Sequence, residues 1–457
     1  IELQEAKEDL SCLPTLERED ISPSVNTVDP PNELETPPVA FYEQPTLGII
    51  YFSAVMGIDN LPQDMIPVLP FFCYSLTRMG TKFHDYSEIA QLIDLYTGGM
   101  GLSVNAGNRF DDSHENTCLP IVTFNSKCLS RNQEKMFELA GELLSDVEFS
   151  DTALLKRLLM EYRADMESAI VANGHRFAIS LAARNFNLSN TLNEKWHGIH
   201  QLETIKEMTA ELSEENLRSI AANLHQIRDH LFGGGKMRAA LIGEKADLDQ
   251  ARPYIETFAR QLGKSAIDEF NEPSIELAND LPREGWSTSS SVSFVASVFE
   301  TVRMNHPDAP ALAVVSKTLR SMFLHREIRE KGGAYGGFAA YQPENGLFYF
   351  GSYRDPHIIN TLNVYEAASD FITAGDYTDE NIKEAILQVC ADIDRPDSPG
   401  TAASKDFYRR LINLSDDTRR TFKENLVQLN REAVLQAARK YFGKKGPTAV
   451  AVISNET

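Results

Sequence analysis

Leu324–Pro356 reads LHREIREKGGAYGGFAAYQPENGLFYFGSYRDP, a helix end followed by a strand hairpin. A helical run ends in Arg329-Glu330-Lys331 and meets Gly332-Gly333. Glycine has no Cβ to clash at positive φ, so a Gly pair after a last cationic turn is a helix stop. Tyr335 then opens an extended segment, Pro343-Glu344-Asn345-Gly346 supplies a hairpin turn, and LFYFGSY returns as a second strand. Asp355-Pro356 reads as the start of the next helix. Helix, glycine stop, hairpin, helix: this order brings Arg329 and Tyr335 to one helix–strand junction. By residue type alone both have a structural reading. A cation in the last turn meets the helix dipole, worth roughly 0.3–1 kcal/mol, and Tyr is a good strand former.

Outward from that junction, 457 residues exceed what one core supports, so at least two domains are expected. A polar tail, residues 1–36, carries Pro14, Pro23, Pro30 and Pro31 and reads as the end of a linker. Residues 37–262 form the first expected αβ domain, which opens with the strand TLGIIYFSAVMG. Helices follow around 62–79 and 86–96, and Gly98-Gly99 ends the latter. Strands near 102–106 and 117–125 come next, then helices near 130–145, 151–171 and over much of 176–230. Ser150-Asp151-Thr152 offer side-chain oxygens to the free N–H groups of the 151–171 helix, and MRAALIG is a closing buried strand. A polar segment at 263–286, with Pro273 and Pro282, connects to the second domain, 287–457. That domain holds the strand SSSVSFVASVFE, a helix over 308–330 and the Arg/Tyr hairpin. Helices near 356–374, 379–392, 402–412 and 423–441 and a last strand, TAVAVIS, complete it. Strands mixed with long helices, twice in the same broad order, indicate an α+β fold of two domains with sheets packed against helices.

Composition excludes some functions. Lys and Arg number 44 against 66 Asp and Glu, a net charge of −22, which repels nucleic acid and anionic membrane surfaces and attracts cationic peptides. No apolar run reaches the roughly 18 residues that a membrane span needs. Cys12, Cys73, Cys118, Cys128 and Cys390 are an odd set with no metal or redox spacing, and read as reduced thiols of a reducing compartment. The expected protein is soluble and intracellular; bacterial cytoplasm and organelle matrix would look alike. Ile1 in place of Met marks a fragment, with any targeting segment upstream.

No pair of the ten histidines makes a helical zinc motif of the H-x-x-E-H type, which needs two rings on one helix face beside a general base. His225 and His230 are five apart, so their rings diverge by roughly 140° around a helix. His197-Gly198-Ile199-His200 contains a glycine, lacks a Glu partner and reads as a surface turn. Asp111-Asp112-Ser113-His114-Glu115 reads as a solvated loop. This chain is expected to bind no metal of its own.

The strings REKGGAYGG and GLFYFGSYRDP, preceded in order by EDLSCLPTLEREDI, YSEIAQLIDLYTGGM and DDSHENT, carry a resemblance over nearly the whole chain. They resemble the C-terminal half of presequence-protease-like enzymes, a branch of the pitrilysin/insulinase family of zinc metallopeptidases. The resemblance implies two homologous halves, joined by a helical hairpin and closed like a clamshell over a chamber. The zinc and its H-x-x-E-H helix would lie in an N-terminal half. This chain would supply the third and fourth αβ domains and be inactive alone. Its implied substrates are unstructured, targeting-peptide-like peptides.

The resemblance also implies that Tyr335 donates to the oxyanion of the tetrahedral intermediate, and that Arg329 holds the substrate backbone or the same oxygen. Gly332 and Gly333 would shape the turn. The residue types suit those roles, since Arg offers a fixed fork of donors and Tyr a neutral O–H. Phe338 departs from the pattern, where a smaller residue is expected. His325 and Arg354 receive no role: His325 is expected to pack or face solvent, and Arg354 to pair with nearby acids. Two other readings stand beside this one: a separate non-catalytic partner subunit of a two-chain peptidase, and a structural protein retaining the fold. The linker-like tail and the Ile1 start favour the first reading, and the Arg/Tyr pair argues against the last.

Overall fold

A computed structural model of the chain describes residues 16–35, 37–58, 61–110, 117–233, 236–262, 270–443 and 446–455. Cys12, the Asp111–Glu115 run, residues 1–15 of the tail and 263–269 of the connecting segment lie outside the described residues. The first sheet takes β1 (Asn32–Glu35), β2 (Pro38–Glu43), β3 (Ile49–Gly57), β4 (Met100–Asn108), β5 (Cys118–Leu129) and β6 (Met237–Gly243), in the order β1-β2-β6-β3-β5-β4. The second takes β7 (Arg283–Ser287), β8 (Phe294–Glu300), β9 (Gly336–Gln342), β10 (Leu347–Tyr353) and β11 (Thr448–Ser454), in the order β7-β11-β8-β10-β9. With β1 set aside the two orders are the same. Their senses agree too: β2–β6 and β7–β11 run parallel, and the other pairs antiparallel. The chain is an α+β fold of two mixed-sheet domains.

The helices of the first domain are α1 (Leu69–Ser75), α2 (Tyr86–Tyr96), α3 (Gln133–Asp146), α4 (Thr152–Ala183), α5 (Leu188–His197), α6 (Ile199–Met208), α7 (Glu214–Phe232) and α8 (Lys245–Gln261). The second has α9 (Ala309–Leu319), which continues as a π-helix over Arg320–Lys331, then α10 (Ile359–Ala374), α11 (Asp379–Ile393), α12 (Pro399–Leu411), α13 (Asp416–Gln428) and α14 (Arg431–Phe442). Asp151 caps α4 as expected, its side chain accepting from Leu154 N at 2.9 Å. Several boundaries differ from the sequence reading. The 62–79 helix is α1 between two short 3₁₀ turns, and α8 falls where the sequence reading assigns no helix. The 423–441 helix is two helices, because Asn430 starts a new one by accepting from Ala433 N at 2.9 Å. Helix α10 starts at Ile359, since Asp355 spends its carboxylate on His357 N and on Thr361 Oγ1.

Each central strand is apolar on both faces because each sheet is covered twice. On the first sheet Phe52 meets Phe137 of α3 and Phe258 of α8, at 5.0 and 5.3 Å between centroids. On the second, Phe299 and Phe348 meet Phe442 of α14 at 5.2 and 4.9 Å. The opposite faces are covered by the other domain. Ala403, Phe407 and Leu411 of α12 pack against Tyr42, Val55, Ile121 and Ala240 of the first sheet. Helix α4 crosses Phe294, Ala296 and Val298 of the second. The domains thus exchange one helix each, and neither core closes alone.

A polar bridge accompanies that exchange. Arg303 donates to Glu344 O and Arg109 O, both at 2.8 Å, and lies 4.2 Å above the Phe110 ring. The described part of the tail is tied to the second domain: Lys423 Nζ donates to Ser24 O at 2.6 Å, and Lys383 pairs with Glu17 at 2.6 Å. Cys73, Cys118, Cys128 and Cys390 are buried free thiols, and burial pushes Cys128 up to about 12. Among the described residues no helix is long and apolar enough to cross a membrane.

Candidate functional site

The π-helix is anchored by buried Leu324 and Ile328. On its outer face Lys331 and Arg326 hold the Glu327 carboxyl below its usual range, at 2.9 and 2.8 Å. Its end is a glycine stop, as expected, divided unequally between the two glycines. Gly332 keeps helical dihedrals, and Gly333 alone turns to φ +75°. Gly333 N–H then donates to Arg329 O at 3.0 Å and Ala334 N–H to Ile328 O at 3.1 Å. These two closing bonds are each one residue wider than in an α-helical stop, as i→i+5 bonding requires.

The π register decides what Arg329 touches. With i→i+5 bonding, residues four and five ahead both come over residue i. His325 accordingly meets Arg329 Nη1 through Nε2 at 3.1 Å and Glu330 Oε1 through Nδ1 at 3.3 Å. Arginine only donates, so Nε2 is the acceptor and the His325 proton sits on Nδ1, toward Glu330. His325 therefore aims the guanidinium, a role the sequence reading did not give it. The Arg329 Cζ lies 6.0 Å from the Tyr335 ring centroid, so the structure does bring the two together.

Tyr335 is 68% exposed. Its N–H donates to Arg354 O at 3.3 Å, and Arg354 occupies the left-handed region at φ +49°. A bulky residue there is strained, at a cost of order 1–3 kcal/mol. Buried Asp355 holds it: its backbone pairs both ways with Ser293 at 2.8 Å, and its carboxylate is spent locally as described above. Arg354 is not tied to an acid among the described residues; its guanidinium lies 5.4 Å over the Tyr353 ring. Phe338 faces Gly351 across the hairpin, where a Cβ would stand 2.6 Å from its ring, so the glycine makes room for the larger residue. Among the described residues the Tyr335 hydroxyl has no hydrogen-bond partner, and Arg329 spends one of its donors, on His325. The junction presents a neutral donor and a cationic fork to whatever faces it.

The first domain repeats the junction without the chemistry. Gly98-Gly99 precede edge strand β4 as Gly332-Gly333 precede edge strand β9, with Gly99 at φ +111°. Equivalent positions hold Leu95 for Arg329 and Gly101 for Tyr335. The histidines singled out in the sequence have other employment. His225 Nε2 accepts from Phe149 N at 3.4 Å, and His197 Nε2–H donates to Val104 O at 2.8 Å on the outer edge of β4. His200 does have a Glu partner: buried Glu194, 3.1 Å from Nδ1, which also accepts from Ile199 N. The 197–200 segment is therefore a bonded joint between α5 and α6, with His197 at the surface and Gly198 and Ile199 buried. Among the described residues no group of three or more His, Cys, Asp or Glu is placed to hold a metal ion.

Residues 1–208 match the family model for the region associated with subfamily C of the M16 peptidases, and residues 288–454 match the PreP C-terminal domain. The chain belongs to the pitrilysin/insulinase (M16) peptidases, and the Arg329–Tyr335 junction falls within the second match. It is similar to the mitochondrial presequence protease of Danio rerio, with 32% identity covering 96% of this chain and 44% of that protein. Against the mitochondrial presequence protease of Mus musculus the identity is 31%, covering 96% and 45%. The chain thus spans less than half the length of these relatives. The crystal structure of pitrilysin matches with a TM-score of 0.63 at 16% identity, covering 95% of this chain and 44% of that one. A peptidase M16 inactive domain from Pseudomonas fluorescens matches with a TM-score of 0.62 at 14% identity, covering 94% and 98%. At such identities the likeness is one of fold.

Proposed function

We propose that this chain is the C-terminal, non-zinc-binding half of a zinc metalloendopeptidase that degrades unstructured peptides inside a closed chamber. The observation that supports it most is the pairing of an unpartnered hydroxyl, Tyr335, with a guanidinium that keeps most of its donors free, Arg329, exposed side by side in the region that matches the PreP C-terminal domain. The family's zinc does not fit the residues described here, so it is assigned to the N-terminal half of the same protein. In this reading the Tyr335 O–H donates to the oxygen that gains charge as the peptide carbonyl becomes tetrahedral. A donor placed for that charge stabilises the transition state more than the ground state. Arg329, aimed by His325, places two N–H groups on a substrate carbonyl and fixes the backbone. Neither residue moves a proton; both position and stabilise.

The chain's charge of −22 favours cationic peptides as substrates, such as the Arg-rich, acid-poor targeting class. The relatives are named as mitochondrial; for this chain a reducing compartment is the matching proposal, in keeping with the four buried free thiols among the described residues. The test is hydrolysis of an unstructured Arg-rich peptide by the full-length protein and by this chain alone. The full-length protein should cleave it and the chain alone should not. Cleavage by the chain alone would refute the division of labour.

A further inference from the structure

The exposed Tyr335 ring rests edge-on against Tyr353, 5.5 Å between centroids at 81°. Tyr353 stands edge-on to His175 at 4.8 Å and 78°, and meets Phe294 at 5.9 Å. Its hydroxyl donates to Ala172 O at 3.4 Å. Ala172 and His175 flank the break in α4, where Asn173 leaves helical dihedrals at φ −130°, ψ 29°. They belong to the first domain, whereas Tyr335, Tyr353 and Phe294 belong to the second. The row therefore runs across the domain boundary and ends at the donor hydroxyl.

The row is held at its inner end. His175 also stands edge-on to Phe338, at 6.0 Å and 89°. Its Nδ1 is buried with no hydrogen-bond partner. With no hydrogen bond at Nδ1, the ring is placed by its aromatic neighbours. Edge-to-face pairs stabilise one another beyond the area they bury. A Tyr as exposed as Tyr335 keeps most of its rotamer freedom unless a neighbour restricts it, and a donor acts on a developing charge only when held in place. Tyr353 is that neighbour, and α4 holds Tyr353.

We propose that Tyr353 and His175 are positioning residues for Tyr335, so that a helix of one domain sets the pose of the oxyanion donor on the other. This rests on the reading of Tyr335 given above and adds to it a dependence on domain docking. The test is a double-mutant cycle on the full-length enzyme with an unstructured peptide substrate. His175→Ala should lower kcat by about tenfold or more, the scale of a misplaced catalytic group, with KM little changed. His175→Phe keeps a ring and should recover most of the rate. In a Tyr335→Phe background His175→Ala should bring no further loss, because the hydroxyl that it positions is already gone. If His175→Ala unfolds, Tyr353→Leu, which fills the space without a ring, supplies the same cycle. An unaltered kcat, or the same fold-loss with and without the Tyr335 hydroxyl, overturns the positioning role while the oxyanion reading stands. Full kcat in Tyr335→Phe alone is the separate outcome that removes both.

Discussion

Gly174 of α4 lies against the ring of Phe294, so close that an added Cβ would stand 2.2 Å from a ring carbon. The contact has a twin in the other domain. Gly400 of α12 meets Tyr51 of β3, where an added Cβ would stand 2.7 Å from the ring. Strands β3 and β8 hold the same place in their sheets, so each visiting helix brings a glycine to an aromatic of the central strand. Gly174→Ala should therefore destabilise by about 1–3 kcal/mol, the usual scale of overpacking, and Gly400→Ala similarly. Gly101→Ala, with nothing within 4 Å, is the control and should be near neutral. Urea unfolding checks all three; a neutral Gly174→Ala would mean that the domains do not dock this closely.

Limited proteolysis should first cut the connecting segment before Pro282, where the backbone of 270–282 is in no regular element. Residues 16–26 should be spared, since Lys383, Lys423 and Arg419 tie them down. The two pieces should then co-elute on size exclusion, because each domain's sheet is covered by a helix of the other. Pieces that separate without denaturant would contradict the exchanged packing.

Burial, and the nearby Arg228, lower His225 below its ordinary range. A histidine lowered in the folded state binds fewer protons there than when unfolded, so stability is complete above about pH 6.5 and falls as pH drops below it. Charging Nε2 also removes the acceptor for Phe149 N–H. His225→Gln keeps an acceptor and does not titrate, so its melting temperature should fall less between about pH 7 and 5.5. An equal fall in both proteins would take His225 out of the pH dependence.

Much of the site was legible because its signals are local. The glycine pair, the Pro-Glu-Asn-Gly turn and the strand LFYFGSY fix the helix stop and the hairpin with no help from distant residues. The aim of Arg329 was not legible. A sequence does not announce a π register, and that register is what puts both Arg329 and Glu330 over His325. His175 and Tyr353 were hidden for another reason: they meet only when α4 crosses the second sheet. Strand β7, REGWS, offers one apolar side chain, Trp286, too little to show a strand pattern, and is held by that residue's packing on the core and by backbone pairing with β11. The tail reads as loose because its anchors are lysines and arginines of α11 and α13, which pattern alone places on solvent-facing sides.

Arg329→Lys keeps the charge and loses the fork and the reach to His325. In the full-length enzyme it should raise KM and lower kcat less than removal of the Tyr335 hydroxyl does, with the melting temperature little changed. Steady-state kinetics on one unstructured peptide checks this. Wild-type KM in Arg329→Lys would return Arg329 to a helix-end cation.

The most direct measurement is kcat for Tyr335→Phe in the full-length enzyme. The ring and its contact with Tyr353 stay, and one exposed hydroxyl goes. If that hydroxyl donates to the oxyanion, kcat falls by about 10²–10³. KM should move little, because the bond strengthens in the transition state. The melting temperature should not change. An unaltered kcat, or activity lost only together with the fold, would contradict the assignment of Tyr335 to the reaction.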